Sequence, residues 1–156
     1  MKIIPMAVFL FLVNLQLAYC PNANTLPIIV APTITEMPTL EKHYAALIEA
    51  IYYHEARRNP NAYNPKEEAT GGLQIRPIRL KHYNDLTGKN YTMADMYDFE
   101  IAKEIFLYFC RHDNSGRRIP LKSYEQAARN WNGLWSLTEG YWASIQSLLK
   151  NPKNYS

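Results

Sequence analysis

LEKHYAALIEAIYYHEARRNP, residues 40–60, is the stretch that sets the reading of the whole chain. Tyr44, Leu47, Ile48, Ile51 and Glu55 recur at i, i+3, i+4, i+7 and i+11, which puts them on one face of a single α-helix. Thr39 stands where a cap is expected. Asn59-Pro60 must end the helix, because a residue before proline is pushed out of the α region. Glu55 is the anomaly. It lies on the apolar stripe, in the last turn, where a charge is least welcome.

Helical signals continue downstream. Thr92 and Asp95 make a capping-box-like start for a short helix through Tyr97. Asp98 then caps a stronger helix in which Ile101, Ile105 and Phe109 align, with Phe106 beside them. Ser123 and Gln126 form another capping box, leading into Tyr124, Ala127, Ala128 and Trp131. A last helix carries Tyr141, Trp142, Ile145, Leu148 and Leu149 and stops at Asn151-Pro152. Long alternating strand patterns are missing. The expected class is all-α, one compact domain over residues 39–150 with a short tail at 151–156, and a hairpin near residues 63–76 where Gly71-Gly72 punctuates the chain.

Upstream, residues 1–20 read MKIIPMAVFLFLVNLQLAYC, in which the apolar run from Ile3 to Val13 has the dimensions of a secretory h-region and is too short to span a bilayer comfortably. Leu17-Ala18-Tyr19-Cys20 resembles a lipoprotein box, with Tyr19 where a small residue is usual. Simple cleavage, lipidation at Cys20 and an uncleaved anchor all stay open, so the expected location is exported: periplasmic, envelope-associated or secreted, with possible membrane attachment through this segment. Residues 21–38 carry Pro21, Pro27, Pro32 and Pro38 and read as an extended linker.

The 156 residues allow one domain plus such a segment. Apolar residues at 47% and charged residues at 20% are ordinary globular values. The net charge of +3 suits an anionic polymer without choosing one. Basic residues are scattered, as at Arg57-Arg58 and Arg117-Arg118, with no stripe to track phosphates, so nucleic acid is not the expected partner. Twelve Tyr and three Trp keep carbohydrate stacking open beside plain core packing. With Cys20 in the leader, Cys110 is left as an unpaired core thiol.

A carboxyl group on the buried side of a helix loses hydration, which disfavours its charged form and raises its pKa. The negative end of the helix dipole pushes the same way. Glu55 is therefore suited to hold a proton near neutral pH and deliver it. The alternative is a structural ion pair with Arg57, Arg58 or Arg76. HisGlu at residues 54–55 begins like a HExxH zinc motif, but Arg58 stands where the second His belongs, and the four His are dispersed. No metal and no cofactor are assigned. No nucleophile elbow or Cys/His pairing points to a Ser or Cys hydrolase. Glu67, Glu68, Asp95 and Asp98 are available as a second carboxylate, but loop solvation or helix capping explains each.

Three blocks in order complete the pattern: EARRNPNAYNP from Glu55, GGLQIRP at residues 71–77, and WNG at residues 131–133. Together they resemble the soluble lytic transglycosylase (SLT) family of the lysozyme-like superfamily, with its goose-type lysozyme relatives. The matches are Asn59-Pro60-Asn61-Ala62, Gln74-Ile75-Arg76-Pro77, and Trp131-Asn132 where the family has Tyr-Asn. Ala56 follows the Glu where the family has Ser, and Glu67-Glu68 fill a loop that is often Gly-Ala. The resemblance implies a lysozyme-like fold and a monomer acting on peptidoglycan glycan strands. It makes Glu55 the acid/base at the bond between N-acetylmuramic acid and N-acetylglucosamine, and places Gln74 and Asn132 in the cleft. Tyr63 and Trp131 become candidates for sugar stacking. A single carboxyl suffices where the C6 hydroxyl of muramic acid closes on C1 to give a 1,6-anhydro end. Lysozyme-type hydrolysis, a non-catalytic wall-binding module and a generic exported helical interaction protein are the alternatives.

Overall fold

In a computed structural model, which describes residues 37–133 and 135–154, the apolar stripe of the opening stretch becomes the buried face of helix α1, Met37–Ala56. The expected export signal, Cys20 and the spacer up to residue 36 lie outside the described residues. Helix α1 starts inside the stretch read as linker. Pro38 sits in its first turn, where a missing N–H leaves no helical bond unmade, so Thr39 is a helical residue and not the cap.

The chain then forms a small antiparallel hairpin, β1 (Tyr63–Asn64) and β2 (Ala69–Thr70), pairing Tyr63 with Thr70 and Asn64 with Ala69. Thr70 makes a further bridge to Ile75, which folds the 71–75 segment back on the hairpin. Gly71 is required there. Its φ is +79°, and a Cβ would stand 1.9 Å from the Met96 carbonyl oxygen.

Helix α2, Pro77–Thr87, was not expected, because only Leu80 and Tyr83 of its eleven residues are buried and no apolar stripe announces it. Its ends were legible: Pro77 in the first turn and Gly88 as a left-handed cap whose N–H donates to the Asn84 carbonyl at 2.8 Å. A 3₁₀ turn, Met93–Tyr97, follows the expected capping pair, with the Asp95 carboxylate accepting from the Thr92 N–H and hydroxyl.

Helix α3, Phe99–Arg111, is capped by Asp98, which accepts from the Glu100 and Ile101 N–H groups. Its second half is buried all round, from Ile105 through Cys110, so it runs through the middle of the core. Helix α4, Tyr124–Asn132, opens on the reciprocal Ser123–Gln126 capping box. A 3₁₀ turn (Trp135–Leu137), helix α5 (Glu139–Lys150) and a last 3₁₀ turn (Pro152–Asn154) complete the order. The architecture is mainly helical with one short hairpin, as expected. Helix α1 packs against α3, α4 and α5, and Tyr44 fixes it by donating to the Lys122 carbonyl at 2.6 Å. Cys110 is a free, buried thiol whose pKa burial pushes up. Among the described residues no helix is long and apolar enough to cross a membrane.

Candidate active site

The last turn of α1 delivers Glu55 to a small polar cleft of about 180 Å³. Asn64 reaches it from β1, Glu67 from the hairpin turn, Gln74 and Arg76 from the segment leading into α2, and Trp131 and Asn132 from the end of α4. Four of the five site residues expected from sequence thus meet, from three blocks separated by up to 77 positions.

Glu55 is largely desolvated. Burial raises its carboxyl pKa; the Tyr141 hydroxyl bond and the Arg76 charge work against this, and the nearby Glu67 charge adds to it. Burial wins, so the proton is retained to higher pH than on a free carboxyl. The Tyr141 hydroxyl, on α5, donates to Glu55 Oε1 at 2.8 Å. That bond fixes one carboxyl oxygen and leaves Oε2 for a ligand. The Tyr141 pKa is raised well above its ordinary value, first by burial and then by the Glu55 charge, so the phenol stays protonated and donates. His54 packs its ring edge-on to Tyr141, with centroids 5.0 Å apart, and burial followed by the Arg57 charge lowers its pKa, keeping it neutral.

A structural ion pair does not account for Glu55. The Arg57 guanidinium lies over the Tyr53 ring, 4.7 Å from its centroid, and Arg58 pairs with Glu49. Arg76 is close enough to act on Glu55 through its charge, but its guanidinium donates to the Asn132 carbonyl at 2.7 Å. Its position ties the second block to the third.

The other expected residues take different parts. Gln74 sits in a left-handed conformation (φ +50°) and spends its amide N–H groups on the carbonyls of Gly71 (2.9 Å) and Ala62 (3.4 Å). Only its side-chain carbonyl oxygen remains to meet a ligand. Asn132 lines the cleft, and its side-chain amide has no hydrogen-bond partner among the described residues. Trp131 contributes to the cleft wall but is 6% exposed. Its indole N–H donates to the Leu73 carbonyl at 3.1 Å, and its ring meets Phe106 edge-on, so core packing and not stacking explains it. Tyr63 is 54% exposed and stands outside the cleft, because strand alternation turns its neighbour Asn64 inward instead. Among the described residues no three His, Cys, Asp or Glu side chains gather as metal ligands.

Sequence reasoning missed Tyr141, which reads as one more core aromatic of α5, 86 residues from its partner. Glu67, read as a solvated loop residue, is indeed exposed in the hairpin turn, and that turn also puts it on the cleft wall, which sequence reasoning did not foresee. Compared with protein families, curated proteins and solved structures, the chain matches none of them.

Proposed function

We propose that the chain is a peptidoglycan lytic transglycosylase that cuts the bond between N-acetylmuramic acid and N-acetylglucosamine, with Glu55 as its acid and then its base. One observation carries this reading: a desolvated carboxyl, held by the Tyr141 hydroxyl and free of ion pairing, opens on a polar cleft. The sequence resemblance to the SLT family supports the choice of substrate, and a lysozyme-like fold is part of the same proposal.

Protonated Glu55 donates to the glycosidic oxygen as the C1–O bond breaks. The positive charge on the sugar is relieved when the muramic acid C6 oxygen closes on C1, and the Glu55 carboxylate takes the O6 proton. No water is consumed, and Glu55 ends protonated again. Asn132 and the Gln74 carbonyl hold the sugar by hydrogen bonds, Asn64 adds another polar group, and the Tyr141 bond keeps the carboxyl from rotating. An exposed Tyr63 beside the cleft offers a ring for a more distant sugar.

A second reading, hydrolysis, is favoured by Glu67. Two carboxyl groups sharing one cleft are the equipment of glycosidases that use water. Here Glu67, lining the same cleft, would deprotonate a water attacking C1 while Glu55 protonates the leaving oxygen. Mass analysis of muropeptides released from purified sacculi separates the two. Anhydro ends support transglycosylation; reducing ends, one water heavier, support hydrolysis. No release by well-folded protein rejects both and leaves a wall-binding module.

A further inference from the structure

Across Arg76 from the cleft lies a second groove of about 520 Å³, lined by Arg76, Ile78, Arg79, His82, Asn114 and Asn130. Its size falls within the roughly 300–1,000 Å³ usual for small-ligand sites. Arg76 lines both spaces, so the groove adjoins the cleft that holds Glu55.

The groove is cationic and uncompensated. No carboxylate lines it, and neither Arg76 nor Arg79 is in an ion pair among the described residues. Glu55 lines the neighbouring cleft and not this groove. Arg79 is built in place: its guanidinium donates to the Asn130 and Trp131 carbonyls at 2.8 and 3.4 Å and lies over the Phe109 and Trp131 rings, 4.9 and 5.4 Å from their centroids. Burial and the neighbouring Arg76 lower its pKa to about 10, which leaves it charged at neutral pH. Two like charges lining one groove, with Arg79 desolvated, are unfavourable until an anion joins them. His82 is fixed by a 2.8 Å bond to the Asn114 carbonyl, and Ile78, 78% exposed, puts an apolar surface on the rim.

We propose that this groove is a subsite for the carboxylate-bearing peptide carried by the muramic acid bound beside Glu55. The peptide carboxylate pairs with Arg76 and Arg79, and Ile78 meets its small apolar side chains. This rests on the reading of the cleft as a glycan site. It makes the peptide substituent a determinant of which strands are cut.

The test has two arms. In the first, muramyl dipeptide with a free carboxylate, its amidated analogue and inorganic phosphate are titrated into Glu55→Gln protein and followed by amide NMR. Expected are perturbations at Ile78, His82 and Gly133, with the amidated analogue at least about ten-fold weaker, one salt bridge's worth for a partly desolvated pair. Equal affinity for the amidated form, perturbations elsewhere, or phosphate binding as tightly as the peptide overturns the proposal. In the second, Ile78→Glu, a change at a side chain that is 78% exposed, is assayed, once its thermal unfolding matches wild type, on peptide-bearing and amidase-stripped strands. The ratio of kcat/KM for the two substrates should fall at least about five-fold; an unchanged ratio overturns the subsite. Dipeptide binding without any strand cleavage leaves the subsite standing and removes the enzymatic reading, so the two fail separately.

Discussion

Replacing Tyr141 by phenylalanine removes one hydroxyl and keeps the ring that packs against His54. The lost bond, 2.8 Å to Glu55 Oε1, is charge-assisted when Glu55 is ionised and neutral when it is protonated. Hydrogen bonds to charged groups contribute about 1.5–3 kcal/mol and neutral ones about 0.5–1.5 kcal/mol, so the variant disfavours the ionised form by about 1–1.5 kcal/mol more than the protonated form. Since about 1.36 kcal/mol corresponds to one pH unit, the alkaline limb of the pH–rate profile, where Glu55 loses its proton, moves upward by about one unit. The plateau rate falls as well, by roughly ten-fold, because the carboxyl is free to rotate away from the leaving oxygen. The assay is the initial rate of sacculus clearing from acid to mildly alkaline pH for wild type and Tyr141→Phe. A limb that stays in place or moves to lower pH refutes the argument that this phenol acts on the acid. A loss of plateau rate with no movement of the limb assigns Tyr141 to packing alone.

Three further outcomes follow from the same geometry. Glu55→Gln abolishes strand release yet stabilises the fold above acidic pH. A carboxyl whose folded pKa is raised contributes its full stability below the unfolded pKa and loses it as pH rises through the folded value, whereas glutamine loses nothing; thermal unfolding in a pH series should show the variant's advantage growing toward neutral pH. Glu67→Gln leaves anhydro products and costs less than about ten-fold in rate if the substrate supplies its own nucleophile, but costs about a hundred-fold or more, read by muropeptide mass analysis, if a water does. Gly71→Ala places a Cβ 1.9 Å from the Met96 carbonyl oxygen at a φ of +79°, so strain of about 1–2 kcal/mol and overpacking of about 1–3 kcal/mol add; urea unfolding should show a large loss of stability.

What the sequence carries well is short-range. The period of α1, the caps at Asp98 and Ser123 and the proline stops are each decided within a few residues, so side-chain spacing and local hydrogen bonds announce them. The start of α1 was harder, because Pro38 reads equally as linker and as a helical first turn. Helix α2 was invisible to periodicity because so little of it is buried, although Pro77 and Gly88 bracket it.

By itself the sequence determined a helical chain with an acid on an apolar face, and the order of three polar blocks around it. Only the tertiary structure decided which groups share the cleft. The Tyr141–Glu55 bond spans 86 residues and exists because α5 packs on α1; Glu67 enters because the hairpin folds back; Trp131 is withdrawn because Leu73 offers its indole a carbonyl 58 residues away. Burial, and with it the raised carboxyl pKa of Glu55, is a property of that packing: desolvation depends on every neighbour at once, and no local spacing records it.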